Sequence, residues 1–569
     1  MNRLGIATAA ATAVLLSLAG TGAADAGAAD AGTTHAGTTH AGTTHAGTTH
    51  AGTTHAGTPK LQARDDAYTA HAGRTLTVGA RHGVLADDSG SPATLVAHTR
   101  TAHGTLALQQ DGSFRYTPDA GYHGTDTFTY RISDAVRLYR TGLKPLADIG
   151  GVSVTAGAYG SSLYPVPDSK DEFYGLTDRG PNVDAPNGTD KVLPRPGFDP
   201  AIGRFRLTGT KAVLERTIPL RAADGTPYNG LVNTQAGTGE NLVDLKGTPL
   251  PHSPYGYDSE GLVALRDGTF WVSDEYGPYI THFDRNGKAV ERLSPFDGSL
   301  PAELANRVPN KGMEGLTVTP DGRALVGIMQ SALQAPDLPG GVKVKNVTTL
   351  RIVTYDLRTH ATHEYVYLLD DPKANSGAVS EITALSATRF LVDERDGNVE
   401  PGAYKKLFAI DLSGATDVGP SATVPGATYD AAKGGLLVGQ ARQTIEACVG
   451  AADTATATAV LKSAGITPVA KTLGLDLGGL VTSLDPTGGF FGHDKIEGVA
   501  TTDGGRTIVV SNDSDFGVDG VSDSTPTPPY ALHAKILPNG TQDDGEYLSV
   551  DTARLPARTG TATVTITVK

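Results

Sequence analysis

One cysteine, three methionines and one tryptophan are all that 569 residues contain of these types. A single thiol excludes an internal disulfide, so stability must come from packed sheets and bound ions. Cys448 stands in an Ala-rich stretch with no histidine close in sequence, which reads as an inert buried thiol rather than a nucleophile. Positive charge is also short. Lys and Arg total 47 against 61 Asp and Glu, a formal charge of −14. That balance argues against nucleic acid and anionic membrane surfaces as partners, and toward cations or anions reached through a bound cation. Long apolar runs are missing too. The stretch from Gly5 to Gly20 is shorter than the roughly 18–20 residues of a spanning helix. With Arg3 before it and small residues from Ala23 to Ala26 after it, residues 1–26 read as an export signal. The expected mature protein is secreted, extracellular and without a membrane span.

What the chain does have is turn-forming residues, 71 Gly and 34 Pro, in keeping with an all-β protein. Residues 27–60 hold five copies of AGTTH, from Ala31 to His55. Such a stretch can bury no core and reads as a disordered linker, with His35, His40, His45, His50 and His55 as part of a Thr-rich stalk. Residues 61–135 turn to short alternating strands separated by turns such as Asp111-Gly112, the pattern of a small β-sandwich. DDAY (Asp65 to Tyr68), GVLADD (Gly83 to Asp88), HGTLAL (His103 to Leu108), DGSFRYTP (Asp111 to Pro118) and GTDTFTYRISD (Gly124 to Asp134) resemble the bacterial Ig/cadherin-like repeats of secreted proteins. Members of that family end on one more strand, and none follows Asp134. GTATVTITVK, Gly560 to Lys569, alternates Val564, Ile566 and Val568 on one face and supplies a candidate. The expectation is a sandwich of residues 61–135 completed by 554–569, with residues 136–553 inserted into it.

Within the insert one module recurs. DSEGLVALRDGTFWVSDEYGP (Asp258 to Pro278), MEGLTVTPDGRALVGIMQS (Met313 to Ser331) and KIEGVATTDGGRTIVVSNDSDFG (Lys495 to Gly517) each open on Glu-Gly and a short strand. A tight turn and a second strand ending in polar or acidic residues follow. Weaker copies run from Gly150 to Asn182 and from Ser380 to Gly397, the latter with Glu381 in the Glu position and Ile382 in place of Gly. A hairpin repeated in this way predicts a β-propeller of about six blades, with a helical excursion around Gln443 to Ser463 from the fifth.

Equivalent positions in a closed ring face one axis. Glu260, Glu314, Glu381 and Glu497, with the strand-end acids Asp274 and Asp513, are therefore expected to cluster. Clustered carboxylates repel unless cations neutralise them. Oxygen donors without Cys or His pairs favour Ca²⁺ over zinc. Glu275, Glu394 and Asp515 are further strand-end acids. Arg179, Lys311, Arg395 and Lys495 lie beside the acidic motifs; near a metal, Arg179, Lys311 and Lys495 can hold a phosphate or carboxylate. Hydrolase signals of other kinds are missing: there is no GxSxG and no HExxH. Arg81-His82-Gly83 lacks the Arg and Pro of a histidine-phosphatase site, and LPARTG (Leu555 to Gly560) has one residue too many for a sortase signal.

DSEGL, SDEYGP, KGMEGL, DKIEG, NDSDFG and LTDRGPN resemble the secreted propeller family described as esterase-like activity of phytase. The resemblance implies a propeller related to calcium-dependent phytases that hydrolyses a small anionic phosphoester or other ester at the channel mouth. Glu260, Glu314 and Glu497, with Arg179, Lys311 and Lys495, would be the catalytic and substrate-holding groups. Glu260, Asp274, Glu314, Glu381, Glu497 and Asp513 would be the metal ligands. Two other readings fit a propeller of this composition: a gluconolactonase-type lactonase, and a non-catalytic adhesion or ligand-binding propeller that meets a cell surface or matrix through its Ig-like domain.

Overall fold

The structure is a computed structural model and describes residues 60–90, 93–236 and 239–569. The export signal and the AGTTH repeats lie outside the described residues. Among those described, no helix is long and apolar enough to cross a membrane.

The first strands build a two-sheet sandwich. One sheet has the order Asp66–Ala70, Thr559–Val568, Gly124–Ser133, Thr94–His98; the other has Leu76–Val78, Phe114–Pro118, Gly104–Leu108. Strand alternation turns Phe114, Tyr116, Phe128, Tyr130 and Ile132 into one core with Val564, Ile566 and Val568. The last strand of the chain is not an edge strand. It runs antiparallel to Gly124–Ser133, with Val564 opposite Phe128, and parallel to Asp66–Ala70.

Two chain crossings join the sandwich to the second body, and they lie side by side. Gly124–Ser133 continues into Val136–Arg140, and Glu546–Asp551 continues toward Thr559–Val568; Gly124–Ser133 and Thr559–Val568 are antiparallel partners in the sandwich, and Val136–Arg140 and Glu546–Asp551 are antiparallel partners in the second body. Asp134 marks the crossing. It is buried and accepts hydrogen bonds from Arg554 (2.9 Å) and Arg558 (2.7 Å).

The second body is a ring of four-stranded sheets. The first blade comprises Ser162–Pro165, Glu172–Leu176, Ala201–Thr208 and Lys211–Pro219. The second is Ser259–Ala264, Phe270–Asp274, Tyr279–Phe283 and Ala289–Leu293. The third is Met313–Val318, Ala324–Met329, Thr349–Asp356 and Thr362–Leu368, and the fourth Ala378–Ala384, Arg389–Arg395, Lys405–Asp411 and Ala470–Asp476. The fifth takes Ile496–Thr501, Thr507–Asn512 and Glu546–Asp551 from the carboxy-terminal side and Val136–Arg140 from the amino-terminal side. The first strand of each blade neighbours those of the blades on either side, the fifth against the first included. This closes a propeller, and the strand that closes it follows directly from the sandwich.

The described residues therefore form five such blades, one fewer than the length of the insert suggests. The length goes into excursions instead. One is a three-stranded sheet of Val183–Asp184, Asp190–Val192 and Asn241–Val243. Another holds the Ala-rich helices Ile445–Val449 and Thr454–Ser463, and interrupts the fourth blade rather than a fifth. Cys448 is half-buried there against an apolar cluster, and burial pushes its thiol up, away from the thiolate form.

The sandwich gives a direct test of the discontinuous-domain organisation. Deleting residues 555–569 removes a central strand whose buried Val564, Ile566 and Val568 each contribute roughly 1.5–3 kcal/mol. In calorimetry of the otherwise full chain, the sandwich transition is expected to be lost or moved far down in temperature. An unchanged transition contradicts this organisation.

Candidate functional site

The hairpins of the second, third and fifth blades turn on Asp-Gly pairs. Gly268 (φ +85°) and Gly322 (φ +70°) take the left-handed backbone that such turns need, and the Asp267 carboxylate accepts the Thr269 N–H at 2.9 Å. At the opposite end of the hairpin in the second, third, fourth and fifth blades the first strand carries a β-bulge, and the bulge decides which side chain leaves the sheet. In the third blade Met313 pairs with Met329 and Gly315 with Ile328, so Glu314 is the extra residue. In the fifth, Ile496 pairs with Asn512 and Gly498 with Ser511, which makes Glu497 the extra one. Glu260 lies in the corresponding irregular step of the second blade, between Ser259 and Leu262.

These three glutamates line one cavity of about 320 Å³. Eleven carboxylates, these three included, and five cationic side chains line it, so its interior is acidic. Arg179, Lys311, Lys495 and Asp513, all singled out in the sequence, are part of the lining.

Two expected ligands are not. In the fourth blade Val379 pairs with Glu394 and Glu381 with Asp393, which makes Ser380 the extra residue. Glu381 thus stands where Gly315 and Gly498 stand in their blades, one step from the Glu position that its sequence neighbours suggest. Its buried carboxylate accepts hydrogen bonds from Ser162 Oγ (2.6 Å), the Ile382 N–H (2.9 Å) and the Leu316 N–H (3.3 Å), and so ties three blades together. Asp274 is also fully buried. It accepts the N–H groups of Asp258 (2.8 Å) and Gly277 (2.7 Å) and holds the strand-end turn in shape.

The side chains that complete the acidic side of the cavity are Asp258 and Glu275. Carboxylate oxygens of Asp258, Glu260 and Glu275 all lie within 4.8 Å of one another, and all three residues are buried. Glu275 Oε1 and Glu314 Oε2 have no hydrogen-bond partner, although each residue is only 2 % exposed. Alternation along a strand sends Asp274 and Glu275 to opposite sides, and the sequence does not say which side faces the cavity. Asp258 has the same spacing signal, two residues before Glu260.

The cations are mostly committed to carboxylates. Arg179 donates to Glu240 (2.8 Å), Tyr276 OH (2.8 Å) and Asn182 (3.2 Å), with Asp258 3.6 Å from its Nε. Lys495 donates to Asp513 (3.0 Å) and to Asp515. Arg395 pairs with Glu497 and donates to Ser380 Oγ (2.9 Å), the residue in the fourth blade's bulge. Lys311 differs: it donates to the neutral Gln330 side chain at 2.6 Å, and among the described residues no carboxylate lies within ion-pair distance of it.

Burial dominates the acid–base behaviour of the cavity. It pushes the Asp258, Glu314 and Glu497 carboxyls up to about 7, with the Glu275 charge adding at Asp258 and the Glu497 charge at Glu314. Glu260 and Glu275 are held well above the usual range by burial and then by Glu314. At Asp515 burial is outweighed by Lys495 and Lys535, and its carboxyl lies below the usual range.

The donor set fits a hard divalent cation: only oxygen ligands, closely spaced, with buried oxygens that the protein itself does not satisfy. Asp258, Glu260 and Glu275 are the residues placed to hold it, with Glu314 beside them.

Residues 155–516 match the phytase-like family, described as esterase-like activity of phytase, and residues 57–141 match the bacterial cadherin-like domain. A protein of Arthroderma benhamiae described as an uncharacterized secreted protein is 32% identical over a stretch that covers 32% of this chain and 45% of that protein. The chain thus spans less than half the length of this relative. Similar solved structures include virginiamycin B lyase from Staphylococcus aureus, at 12% identity over 73% of this chain and 98% of that one, with a TM-score of 0.26. The β-propeller domain of Cps50 (Swd1) from Myceliophteria thermophila matches at 8% identity over 81% and 99%, with a TM-score of 0.25. Likenesses at this level say nothing about chemistry.

The raised carboxyls set a pH dependence with a defined sign. The folded state keeps protons that carboxyls of an unfolded chain release near pH 4, so the stability they contribute is full below about pH 4 and is lost as pH rises through about 7. The depressed carboxyl of Asp515 acts below that window. In the presence of a chelator the melting temperature is expected to fall between about pH 5 and 8, and Glu314→Gln to flatten the fall. A melting temperature that is level or rises over this range contradicts the assignment.

Proposed function

The chain belongs to the phytase-like family, described as esterase-like activity of phytase, and from that membership we propose that it is an exported hydrolase of phosphoesters or other esters working with a bound divalent cation, calcium. The observation that carries the reading is the group Asp258, Glu260 and Glu275, with unsatisfied buried oxygens on Glu275 and Glu314. When bound there, the cation supplies charge neutralisation and polarises an ester oxygen or a water.

The protein's own groups divide the remaining work. Lys311, oriented by Gln330, is the lining cation best placed to meet an anionic substrate group. Arg179 and Lys495 are spoken for by carboxylates and act as counter-charges that keep the acids in place. Glu314 and Glu497, each pushed up to about 7, are suited to take a proton from attacking water, because a general base works best when its pKa lies near the ambient pH. Arg395 holds Glu497 in position for this. Export rests on the amino-terminal signal and agrees with the description of the Arthroderma benhamiae relative. The cadherin-like sandwich would then serve for contact with a cell surface or matrix.

Assays of the full chain on phytate, aryl phosphates and short-chain aryl esters, with calcium and with chelator, test this reading. Hydrolysis of at least one class is expected, lost in chelator, and reduced roughly 100-fold or more by Glu260→Gln. No turnover on any class, or turnover indifferent to chelator, contradicts it. Faster turnover of lactones than of phosphoesters would favour a lactonase on the same site.

A further inference from the structure

His493 is completely buried in the segment before the fifth blade, packed edge-on against Phe491. Its Nδ1 lies 3.2 Å from Asp543 and its Nε2 3.1 Å from Glu546. Both partners are carboxylates whose other contacts mark them as acceptors. Asp543 accepts from Asn512 Nδ2 (3.1 Å) and the Gly545 N–H (3.3 Å), and Glu546 accepts from Arg140 Nε (2.6 Å). A neutral imidazole can donate from only one nitrogen, so two carboxylate acceptors call for an imidazolium. The two acids outweigh the cost of burial and raise the imidazole to about 9.

From His493 the charges alternate toward the cavity. Asp543 lies 3.6 Å from Lys535, and Lys535 lies 2.7 Å from Asp515 and 2.7 Å from Asp494. Asp515 pairs with Lys495, and Lys495 with Asp513. At the other end, Arg140 stands on the strand that closes the ring.

We propose that His493 is a positioning residue for the cavity, fixing Lys495 and its acid partners through Asp543 and Lys535, and tying them to the closure of the ring. The proposal rests on reading the cavity as the binding site. Without the imidazolium, Asp543 loses its strongest partner and draws on Lys535, which then releases its hold on Asp515, the acid partner of Lys495.

The test uses the full chain labelled with ¹³C-lysine, with the Lys495 resonance identified by its loss in Lys495→Arg. That resonance is expected to move in His493→Gln and in Asp543→Asn, and the double variant to move it no further than the larger single change, because both cut one chain. His363→Gln, which alters the exposed His363–Asp417 pair, should leave it in place. A resonance unmoved in folded His493→Gln overturns the proposal, since a merely structural histidine would lower the melting temperature without touching Lys495. Should that variant not fold, the wild type decides: its His493 ring is expected to stay doubly protonated at pH 8, and a neutral ring at pH 7 overturns the proposal. Neither readout uses hydrolysis or calcium. A moved Lys495 in a protein that hydrolyses nothing would uphold the chain of charges and defeat the proposed activity.

Discussion

The inner strands of the ring approach one another so closely that there is no room for a side chain between them. A Cβ on Gly261 would lie 2.5 Å from the Leu316 nitrogen, one on Gly315 2.5 Å from the Ile382 nitrogen, and one on Gly498 2.8 Å from the Leu163 nitrogen. Glycine is required at these points for packing. The bulge that brings each glycine to the axis sets the residue before it free of the ladder, and that residue is glutamate in the second, third and fifth blades. The Glu-Gly pair is therefore one device with two effects: the glycine closes the ring, and the glutamate is delivered to the cavity.

Concentrating carboxylates in this way is costly in a buried site, since each would repel its neighbours and lose its hydration. The structure offsets most of the cost with interleaved cations: Arg179 against Asp258 and Glu240, Arg395 against Glu497, Lys495 against Asp513 and Asp515. The offset is incomplete on the side of the second and third blades, where Glu275 and Glu314 keep unsatisfied oxygens. On the proposed reading, that imbalance makes this side the place for the cation and makes Lys311, with its neutral partner, the group that meets the substrate anion.

Much of this was legible in the sequence because the module repeats. The strand–turn–strand pattern announced the hairpins, and the repeated Glu-Gly marked the point where carboxylates converge. What escaped the sequence was register. Glu381 aligns with the other glutamates by its neighbours Ser380 and Ile382, but the bulge in that blade falls one residue earlier and turns Glu381 into the packing position. Asp274 and Glu275 are adjacent acids of which only one reaches the cavity, a choice made by strand alternation rather than composition. The five blades fall short of the number that length suggests for a related reason: length absorbed by excursions cannot be told from length spent on blades until the strands are seen to pair.

The proposed cation site is Glu260 with Asp258 and Glu275, beside Glu314. Crystals of the protein grown with calcium and exchanged with a lanthanide provide the most direct test, through anomalous scattering. A strong peak coordinated by Asp258, Glu260 and Glu275, next to Glu314, is expected. A well-ordered cavity with no anomalous peak, or a peak held by other residues, would contradict it.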